Sequence, residues 1–131
     1  MTIKTVGVLG CGLMGAGIAQ VSAASGHRTI VGEVNQKVLD RGLARIAKFL
    51  DDGIARGKVT PEERDTTLGN LTGTTEFSAM KDCDLVIEAI TENVEDKAAA
   101  YRIVEAAAGP HTIIASNTSS LCITELAART K

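Results

Sequence analysis

Hydrophobic residues occur along the chain in two patterns, short apolar runs and longer segments with helical spacing. Five runs, each four to seven residues long, are bounded by glycine or polar residues; they occupy residues 5–9, 28–31, 71–75, 84–90 and 112–116, and the third, LTGTT, has a single hydrophobic residue. Runs of this length, rich in Val, Ile and Leu, predict β-strands. The signal is weakest at 71–75, and an irregular stretch is expected after it, around residues 77–80.

The clearest helical spacing lies between the second and third runs. Apolar residues recur there every three or four positions, at Leu39, Leu43, Ile46, Leu50 and Ile54. With charged residues between them, this spacing predicts an amphipathic helix over residues 36–56. Further helices are predicted over 13–25, 60–68, 94–108 and 123–129. The helix at 60–68 begins with Thr60-Pro61-Glu62-Glu63, which matches a capping box with proline at the first helical position.

The order of these elements along the chain is β-α-β-α-α-β-β-α-β-α. Strands that alternate with helices through short connections form parallel sheets with right-handed crossovers and helices on both faces. We therefore predict an α/β fold with a doubly wound, mostly parallel sheet. Ligands of such sheets bind at the carboxyl ends of the strands. The loops after Leu9, Val31, Ile90 and Ser116 should then share one rim.

Composition narrows the class of protein. The 131 residues suit one domain, and the sequence is 44% hydrophobic but only 2% aromatic, which indicates an aliphatic core like that of a buried parallel sheet. The scarcity of aromatic residues and the net charge of −2 argue against a nucleic-acid binder. Polar residues and glycines interrupt every apolar stretch before it reaches membrane-spanning length, so no membrane segment is predicted.

Cysteine use and the N-terminus indicate a cytoplasmic protein. The chain has three cysteines, Cys11, Cys83 and Cys122, without a C-x-x-C pair. An odd number at these spacings argues against a disulfide framework and against a structural zinc site, so no metal is expected. The first residues lead directly into the first strand and leave no room for a signal peptide.

A glycine-rich segment joins the first strand to the first helix. It reads Gly10-Cys11-Gly12-Leu13-Met14-Gly15, which is G-x-G-x-x-G in the strand–turn–helix context of a Rossmann-type dinucleotide site. Gly10 allows a tight turn, Gly12 lets a pyrophosphate approach the backbone, and Gly15 lets the helix pack against the strand. Free N–H groups at the start of the helix would hold the anion. The alternative is a glycine turn without a ligand.

Glu33 ends the second strand, 18 residues after Gly15. A carboxylate at this place accepts hydrogen bonds from the adenosine ribose hydroxyls, which favours NAD over NADP. The neighbours Val34 and Asn35 offer no arginine for a 2′-phosphate. The alternative is a solvated loop acid.

Three segments in order carry a family resemblance. Residues 10–20 read GCGLMGAGIAQ, residues 87–93 read IEAITEN with Lys97 following, and residues 115–124 read ASNTSSLCIT. Together they resemble the L-3-hydroxyacyl-CoA dehydrogenase family, including its 3-hydroxybutyryl-CoA members. The likeness extends over essentially the whole chain, and the second and third segments are far more specific than the glycine motif.

The resemblance implies NAD-dependent oxidation of L-3-hydroxyacyl-CoA to 3-oxoacyl-CoA, or the reverse, as in fatty acid metabolism. It implies cofactor contacts from the glycine loop and from Glu33, Glu92, Lys97, Asn117 and Ser119. Ser119 would also contact the substrate hydroxyl as a catalytic residue, and Arg56 would contact the CoA nucleotide. For Arg56, a solvated basic helix face explains the residue equally well.

The position and the side chain of Ser119 indicate a role in binding substrate even without the family resemblance. It follows a strand at the expected rim and offers one donor and two lone pairs, enough to orient a substrate oxygen. The alternative is that residues 117–120 only cap the helix that follows them.

The resemblance also implies parts that this sequence does not contain. Family members take a His general base, oriented by a Glu, from a H-F-F-N-P-type region, and they add a helical C-terminal domain for dimerisation and for much of the acyl pocket. We expect residues 1–131 to be the NAD-binding domain of a longer enzyme that is a homodimer, and we expect the isolated chain to be inactive. His27 and His111 precede their strands and would lie at the wrong edge of the sheet to replace that base.

Two other hypotheses remain open from the sequence. One is a dehydrogenase of the 3-hydroxyisobutyrate and 6-phosphogluconate type, which would place a Lys base in a later helix. The other is a dinucleotide-binding module without activity of its own.

Overall fold

Five strands form one parallel sheet in the computed structural model, which describes residues 2–130. The strands are β1 (Thr5–Leu9), β2 (Arg28–Gly32), β3 (Leu71–Thr74), β4 (Leu85–Glu88) and β5 (Ile113–Ser116). Their order in the sheet is β3-β2-β1-β4-β5, and every neighbouring pair is parallel. The predicted doubly wound sheet is confirmed. The chain builds outward from β1 to β3 and then crosses back to β4, so the strand order reverses between β1 and β4.

Helices connect the strands as the sequence predicts. They are α1 (Leu13–Ala24), α2 (Gln36–Ala55), α3 (Pro61–Gly69), α4 (Val94–Ala107) and α5 (Ile123–Ala127), and the irregular stretch is a 3₁₀ turn, Phe77–Asp82. The capping box of α3 is present: Thr60 Oγ1 accepts from the Glu63 N–H at 3.1 Å, and Glu63 Oε2 accepts from the Thr60 N–H at 2.9 Å. Among residues 2–130, the structure contains no helix with the length and hydrophobicity that a membrane span requires.

Two hydrophobic cores cover the two faces of the sheet. Alternate residues of β1 point to opposite faces: Val6 and Val8 pack in a core with residues of α1 and α2, while Leu9 packs in a second core with Val86 and with Val104 of α4. The 3₁₀ turn also belongs to the second core. Helices cover both faces, which leaves the edge formed by the strand ends to bind a ligand.

The fourth strand is shorter than the apolar run that predicts it. Residues 84–90 are mostly apolar, yet β4 ends at Glu88, which pairs in register with Leu9 at the end of β1. The Ala89 N–H still donates to the Leu9 carbonyl at 2.8 Å. Beyond that bond β1 has turned away at Gly10, so Ala89 and Ile90 extend past the sheet and line its edge.

Candidate functional site

The carboxyl ends of β1, β2, β4 and β5 meet along one edge, which we call the rim. Four loops lie there: the glycine loop (residues 10–15), the turn at 33–35, the segment 89–93 and the loop 117–122. Because neighbouring parallel strands run in register, their carboxyl ends emerge together. The predicted convergence of these loops is confirmed.

The glycine loop has the geometry that its sequence predicts. Gly10 has a φ of +99°, and a Cβ there would lie 2.6 Å from the Ala89 carbonyl oxygen. A Cβ on Gly15 would overlap the carbonyl oxygen of Gly10, so α1 can approach the loop only with glycine at that position. Around Gly12, by contrast, a Cβ would meet no atom within 4 Å.

The open space at Gly12 lies at the start of α1. The N-cap is Gly12 itself, which provides no side-chain hydrogen bond to the first turn. The first amides of a helix have no acceptor within the helix, and they attract anions. The loop therefore forms a cradle for an anion, which a side chain at Gly12 would fill.

Side chains within the loop divide into buried and exposed. Leu13 and Met14 are exposed, at 72% and 58%, whereas Cys11 is buried beneath α2. Burial, and next the nearby Glu33 charge, raise the pKa of the Cys11 thiol. Cys11 therefore contributes its backbone to the rim and remains a protonated thiol at neutral pH.

Glu33 is fixed at the rim by two backbone amides. Its Oε2 accepts from the Cys11 N–H at 3.1 Å, and its Oε1 accepts from the Asn35 N–H at 3.2 Å. Asn35 in turn caps α2, with Oδ1 accepting from the Val38 N–H at 3.1 Å. Each carboxylate oxygen keeps a lone pair for a further donor.

A cleft of about 620 Å³ lies between Glu33 and the segment after β4. Its lining includes Gly10, Gly12, Glu33, Val34, Ile90 and Ile103. Most of the wall is apolar, and two acidic residues, Glu33 and Asp96, also line it. A planar aromatic base between apolar walls, with sugar hydroxyls on the carboxylate, suits this combination.

The loop after β5 is tied to the segment after β4 through Glu92. Glu92 Oε2 accepts from Thr118 Oγ1 and from Ser120 Oγ, both at 2.6 Å. The Ser120 and Thr118 hydroxyls, and then Lys97, lower the pKa of the Glu92 carboxyl. Two bonds from neighbouring hydroxyls thus fix the loop on either side of Ser119.

Ser119 and Asn117 are exposed at this part of the rim. Within residues 2–130, neither side chain takes part in a hydrogen bond, and the Asn117 N–H donates to the Glu88 carbonyl at 2.8 Å. The hypothesis that residues 117–120 cap the next helix is wrong, because the N-cap of α5 is Cys122 and it makes no side-chain cap bond.

The sequence analysis missed Glu88, the last residue of β4. Its side chain is fully buried, and its carboxylate accepts four hydrogen bonds. Oε1 accepts from Tyr101 Oη at 2.8 Å and from Ser116 Oγ at 2.7 Å. Oε2 accepts from the Ile90 N–H at 2.8 Å and from Lys97 Nζ at 2.5 Å.

Lys97 lies beneath the rim, between two carboxylates. Its side chain is 1% exposed, and its ammonium group contacts Glu88 Oε2, the Ile90 carbonyl at 3.2 Å and Glu92 Oε1 at 3.3 Å. A signal for this cluster was present in the sequence. Glu88 is an acid within an apolar strand pattern, and Lys97 and Tyr101 share one helix face with the buried Val104.

Arg56 lies away from the rim. It follows the last residue of α2, a helix of 20 residues that starts at the rim, so Arg56 is roughly 30 Å along the helix from that start. An apolar groove of about 330 Å³ between α1 and α2 runs from Leu13 to Phe49, two turns before Arg56. The role predicted for Arg56 stays a prediction.

The two histidines lie at the opposite edge of the sheet, as predicted. His27 precedes β2, and His111 precedes β5 with its Nε2 3.9 Å from Asp84 Oδ1, next to the start of β4. Among residues 2–130, no three His, Cys, Asp or Glu side chains are grouped to hold a metal ion.

The sequence of this chain is similar to those of known dehydrogenases. Residues 5–131 match the family "3-hydroxyacyl-CoA dehydrogenase, NAD binding domain". The 3-hydroxybutyryl-CoA dehydrogenase of Mycobacterium tuberculosis is 42% identical over 98% of this chain and 46% of its own length. The fatty acid oxidation complex subunit alpha of Idiomarina loihiensis is 42% identical over 98% of this chain and 18% of its own length.

A solved structure agrees with these relatives. The crystal structure of M. tuberculosis FadB2 superposes with a TM-score of 0.96 at 42% identity, over 100% of this chain and 46% of that one. The chain therefore spans less than half the length of the relatives that it matches.

Proposed function

Because this chain belongs to the family of NAD-binding domains of 3-hydroxyacyl-CoA dehydrogenases, we propose that it is the cofactor-binding part of an enzyme that interconverts L-3-hydroxyacyl-CoA and 3-oxoacyl-CoA. The observation that carries the proposal is the composition of the rim. One half holds the glycine loop and Glu33, and the other holds the Glu92-tethered loop with Ser119.

NAD fits the residues present at the first half of the rim. Its pyrophosphate suits the cradle at Gly12, where a Cβ would meet no atom within 4 Å. Its adenosine suits the apolar cleft, with the ribose hydroxyls donating to Glu33. When bound, NAD supplies hydride transfer at its nicotinamide ring.

Residues of this chain orient and hold groups in the reaction. The Ser119 hydroxyl is exposed and has no internal partner among residues 2–130, so it is free to hold the substrate oxygen at C3. Asn117 lies in the same loop, and Glu92 fixes the loop through Thr118 and Ser120. The proton of the substrate hydroxyl passes to a His base, which we place outside residues 1–131, in the part of the relatives that this chain does not span.

We place the CoA nucleotide along α2. The groove between α1 and α2 leads from Leu13, at the glycine loop, toward Phe49. Arg56 follows the last residue of α2, seven positions after Phe49, and its guanidinium would pair with a phosphate of the nucleotide. Lys48 is less available because it forms an ion pair with Asp52 at 2.7 Å.

The full-length enzyme is proposed to be a homodimer that assembles through a separate helical domain. Its proposed compartment is the cytoplasm, which agrees with three free cysteines, Cys11, Cys83 and Cys122.

Calorimetric titration of the chain with NAD and with NADP tests the cofactor assignment. A 2′-phosphate beside Glu33 should weaken binding roughly 30-fold, because two like charges would face each other near the surface. Glu33→Gln should reduce the difference between the affinities for NAD and NADP, because it removes the negative charge. Equal affinity of the wild-type chain for the two cofactors would contradict the assignment.

An activity assay tests the reaction. We expect the protein that includes the region after residue 131 to reduce acetoacetyl-CoA with NADH, and we expect the 131-residue chain to bind NAD without reducing it. Failure of the longer protein to act on any 3-oxoacyl-CoA would reject the proposed substrate class.

A further inference from the structure

The buried carboxylate of Glu88 is the central contact between the two walls of the second half of the rim. Through Ile90 and Lys97 it holds the segment after β4, and through Ser116 it holds the end of β5 just before the loop with Ser119. Tyr101 supplies the fourth bond, from α4. All four bonds go to one side chain that has no contact with solvent.

The nicotinamide half of a bound dinucleotide belongs over these two walls. The pyrophosphate lies at the start of α1 and the adenosine on the β2 side, beside Glu33, as proposed above. In a doubly wound sheet the cofactor crosses the point where strand order reverses, which here lies between β1 and β4. The remaining half must then lie over the ends of β4 and β5, above Glu92 and Lys97.

This part of the rim carries a net negative charge. Glu88 and Glu92 contribute two carboxylates, and Lys97 contributes one ammonium that contacts both. Glu88 and Lys97 are 0% and 1% exposed, so water screens their charges poorly. Tyr101, the other titratable group in contact with Glu88, has its pKa raised to about 12 and is neutral.

Stability alone does not account for a buried ion pair at this place. Removing two charges from water costs free energy that their attraction repays only when the geometry is good and further hydrogen bonds are made, and apolar replacements of buried pairs are often neutral or stabilising. The pair also lies at the rim, in contact with a residue of the binding site, and not in the middle of the core. We propose that Glu88 is a positioning residue that keeps the nicotinamide end of the site net negative, so that the chain favours the cationic ring of NAD⁺ over the neutral ring of NADH. The inference rests on the proposed cofactor site.

The variant Glu88→Gln removes one charge and keeps the hydrogen bonds. Its amide oxygen can accept from Lys97 and the Ile90 N–H, while its NH₂ group donates to the hydroxyls of Tyr101 and Ser116, which can rotate to accept. The net charge of the cluster rises from −1 to 0. We expect the ratio of Kd for NAD⁺ to Kd for NADH to increase roughly fivefold, measured by calorimetry on the 131-residue chain.

A second variant separates charge from shape. Glu88→Gln combined with Lys97→Met replaces the buried pair by two neutral side chains and returns the cluster to −1, carried by Glu92. The ratio should return to the wild-type value, although the double variant alters the structure more than the single one. If the role of Glu88 were purely structural, the ratio of the two Kd values in the double variant would differ from the wild-type ratio more than it does in the single variant.

Tyr101→Phe is the matched control. It removes one hydrogen bond to Glu88 and no charge, so the ratio should stay unchanged. Circular dichroism reports whether each variant folds. If Glu88→Gln does not fold, Glu92→Gln removes the same unit of charge at a side chain that is 46% exposed, and the ratio should rise there too.

The outcomes separate the inference from the proposed function. A wild-type chain that binds neither NAD⁺ nor NADH overturns both. A wild-type chain that binds both overturns the inference alone if Glu88→Gln weakens the two by the same factor, or if the Glu92→Gln substitute leaves the ratio unchanged. A raised ratio in the single variant, restored in the double variant, supports it.

Discussion

At the scale of single residues, the glycine loop contains positions with opposite requirements. A Cβ at Gly15 would overlap the Gly10 carbonyl, so packing requires glycine there. A Cβ at Gly12 would meet no other atom of the chain within 4 Å, so packing does not require glycine at that position. Gly12 has φ −73° and ψ −162°, an extended conformation with negative φ, so its backbone does not need the left-handed region that favours glycine. We therefore expect Gly12 to be needed for ligand binding and Gly15 to be needed for folding.

Gly12→Ala tests this distinction. The added methyl group should lower the free energy of unfolding by no more than about 1 kcal/mol, because alanine is a poorer N-cap than glycine, and it should weaken NAD binding at least tenfold, because it fills the anion cradle. Urea denaturation and calorimetric titration measure the two quantities. Gly15→Ala is the control, and it should destabilise the fold. An unchanged Kd in a folded Gly12→Ala chain would show that the cradle is not used.

Ser119→Ala tests the proposed substrate contact in the longer enzyme. Loss of a charge-assisted hydrogen bond worth about 1.5 to 3 kcal/mol should lower turnover roughly ten- to a hundredfold. Ser120→Ala is the matched neighbour: it removes one of the two bonds to Glu92 and leaves Ser119 in place, so its effect on turnover should be smaller. Steady-state kinetics with acetoacetyl-CoA measure both, and an unchanged turnover in Ser119→Ala rejects the role.

At the scale of elements, hydrophobic spacing predicts a helix well when one face of the helix is buried and the other is exposed to solvent. The long helix α2 has one buried stripe, including Leu39, Ile46 and Leu50, and its bounds agree with the sequence prediction within one residue. Only small residues of α1 are buried, among them Gly15 and Ala19. Its position was therefore indicated by the glycine motif and not by periodicity.

The cap of α3 offers a test at this scale. Thr60→Ala removes the side-chain acceptor of the capping box and should cost about 1 kcal/mol of the free energy of unfolding. Thr66→Ala, at an exposed position in the interior of the same helix, is the control and should cost nothing. Urea denaturation compares the two. Equal losses in both variants would show that the cap contributes no stability of its own.

At the scale of the whole molecule, a buried tyrosine hydroxyl and a buried cysteine thiol should make stability fall as the pH becomes alkaline. Burial raises the pKa of Tyr101 to about 12, from an ordinary value of 10.0, and that of Cys83 to about 11, from 9.0. Above about pH 9 the unfolded chain loses these protons first, while the folded chain retains them. The unfolded state then binds fewer protons, so the free energy of unfolding falls as pH rises.

We expect this decline between about pH 9 and 12, with a slope of up to about 1.4 kcal/mol per pH unit for each group that titrates. Urea denaturation at several pH values measures it. Tyr101→Phe should lose the part of the slope between about pH 10 and 12 and keep the part due to Cys83. Cys83→Ala should do the reverse, and slopes identical to wild type in both variants would contradict the assignment.

The sequence determined the elements and their chemistry, because those depend on near neighbours. Helix spacing, the Thr60 cap and the glycine turn act over a few residues, so each can be recognised locally. Tertiary structure alone decided which strands are adjacent, and with that adjacency the hydrogen bonds that join the two walls of the second half of the rim. Ser116 reaches Glu88, 28 residues away, only because β5 pairs with β4. Lys97 of α4 reaches the Glu88 carboxylate, nine residues away, only because α4 folds back over the end of β4.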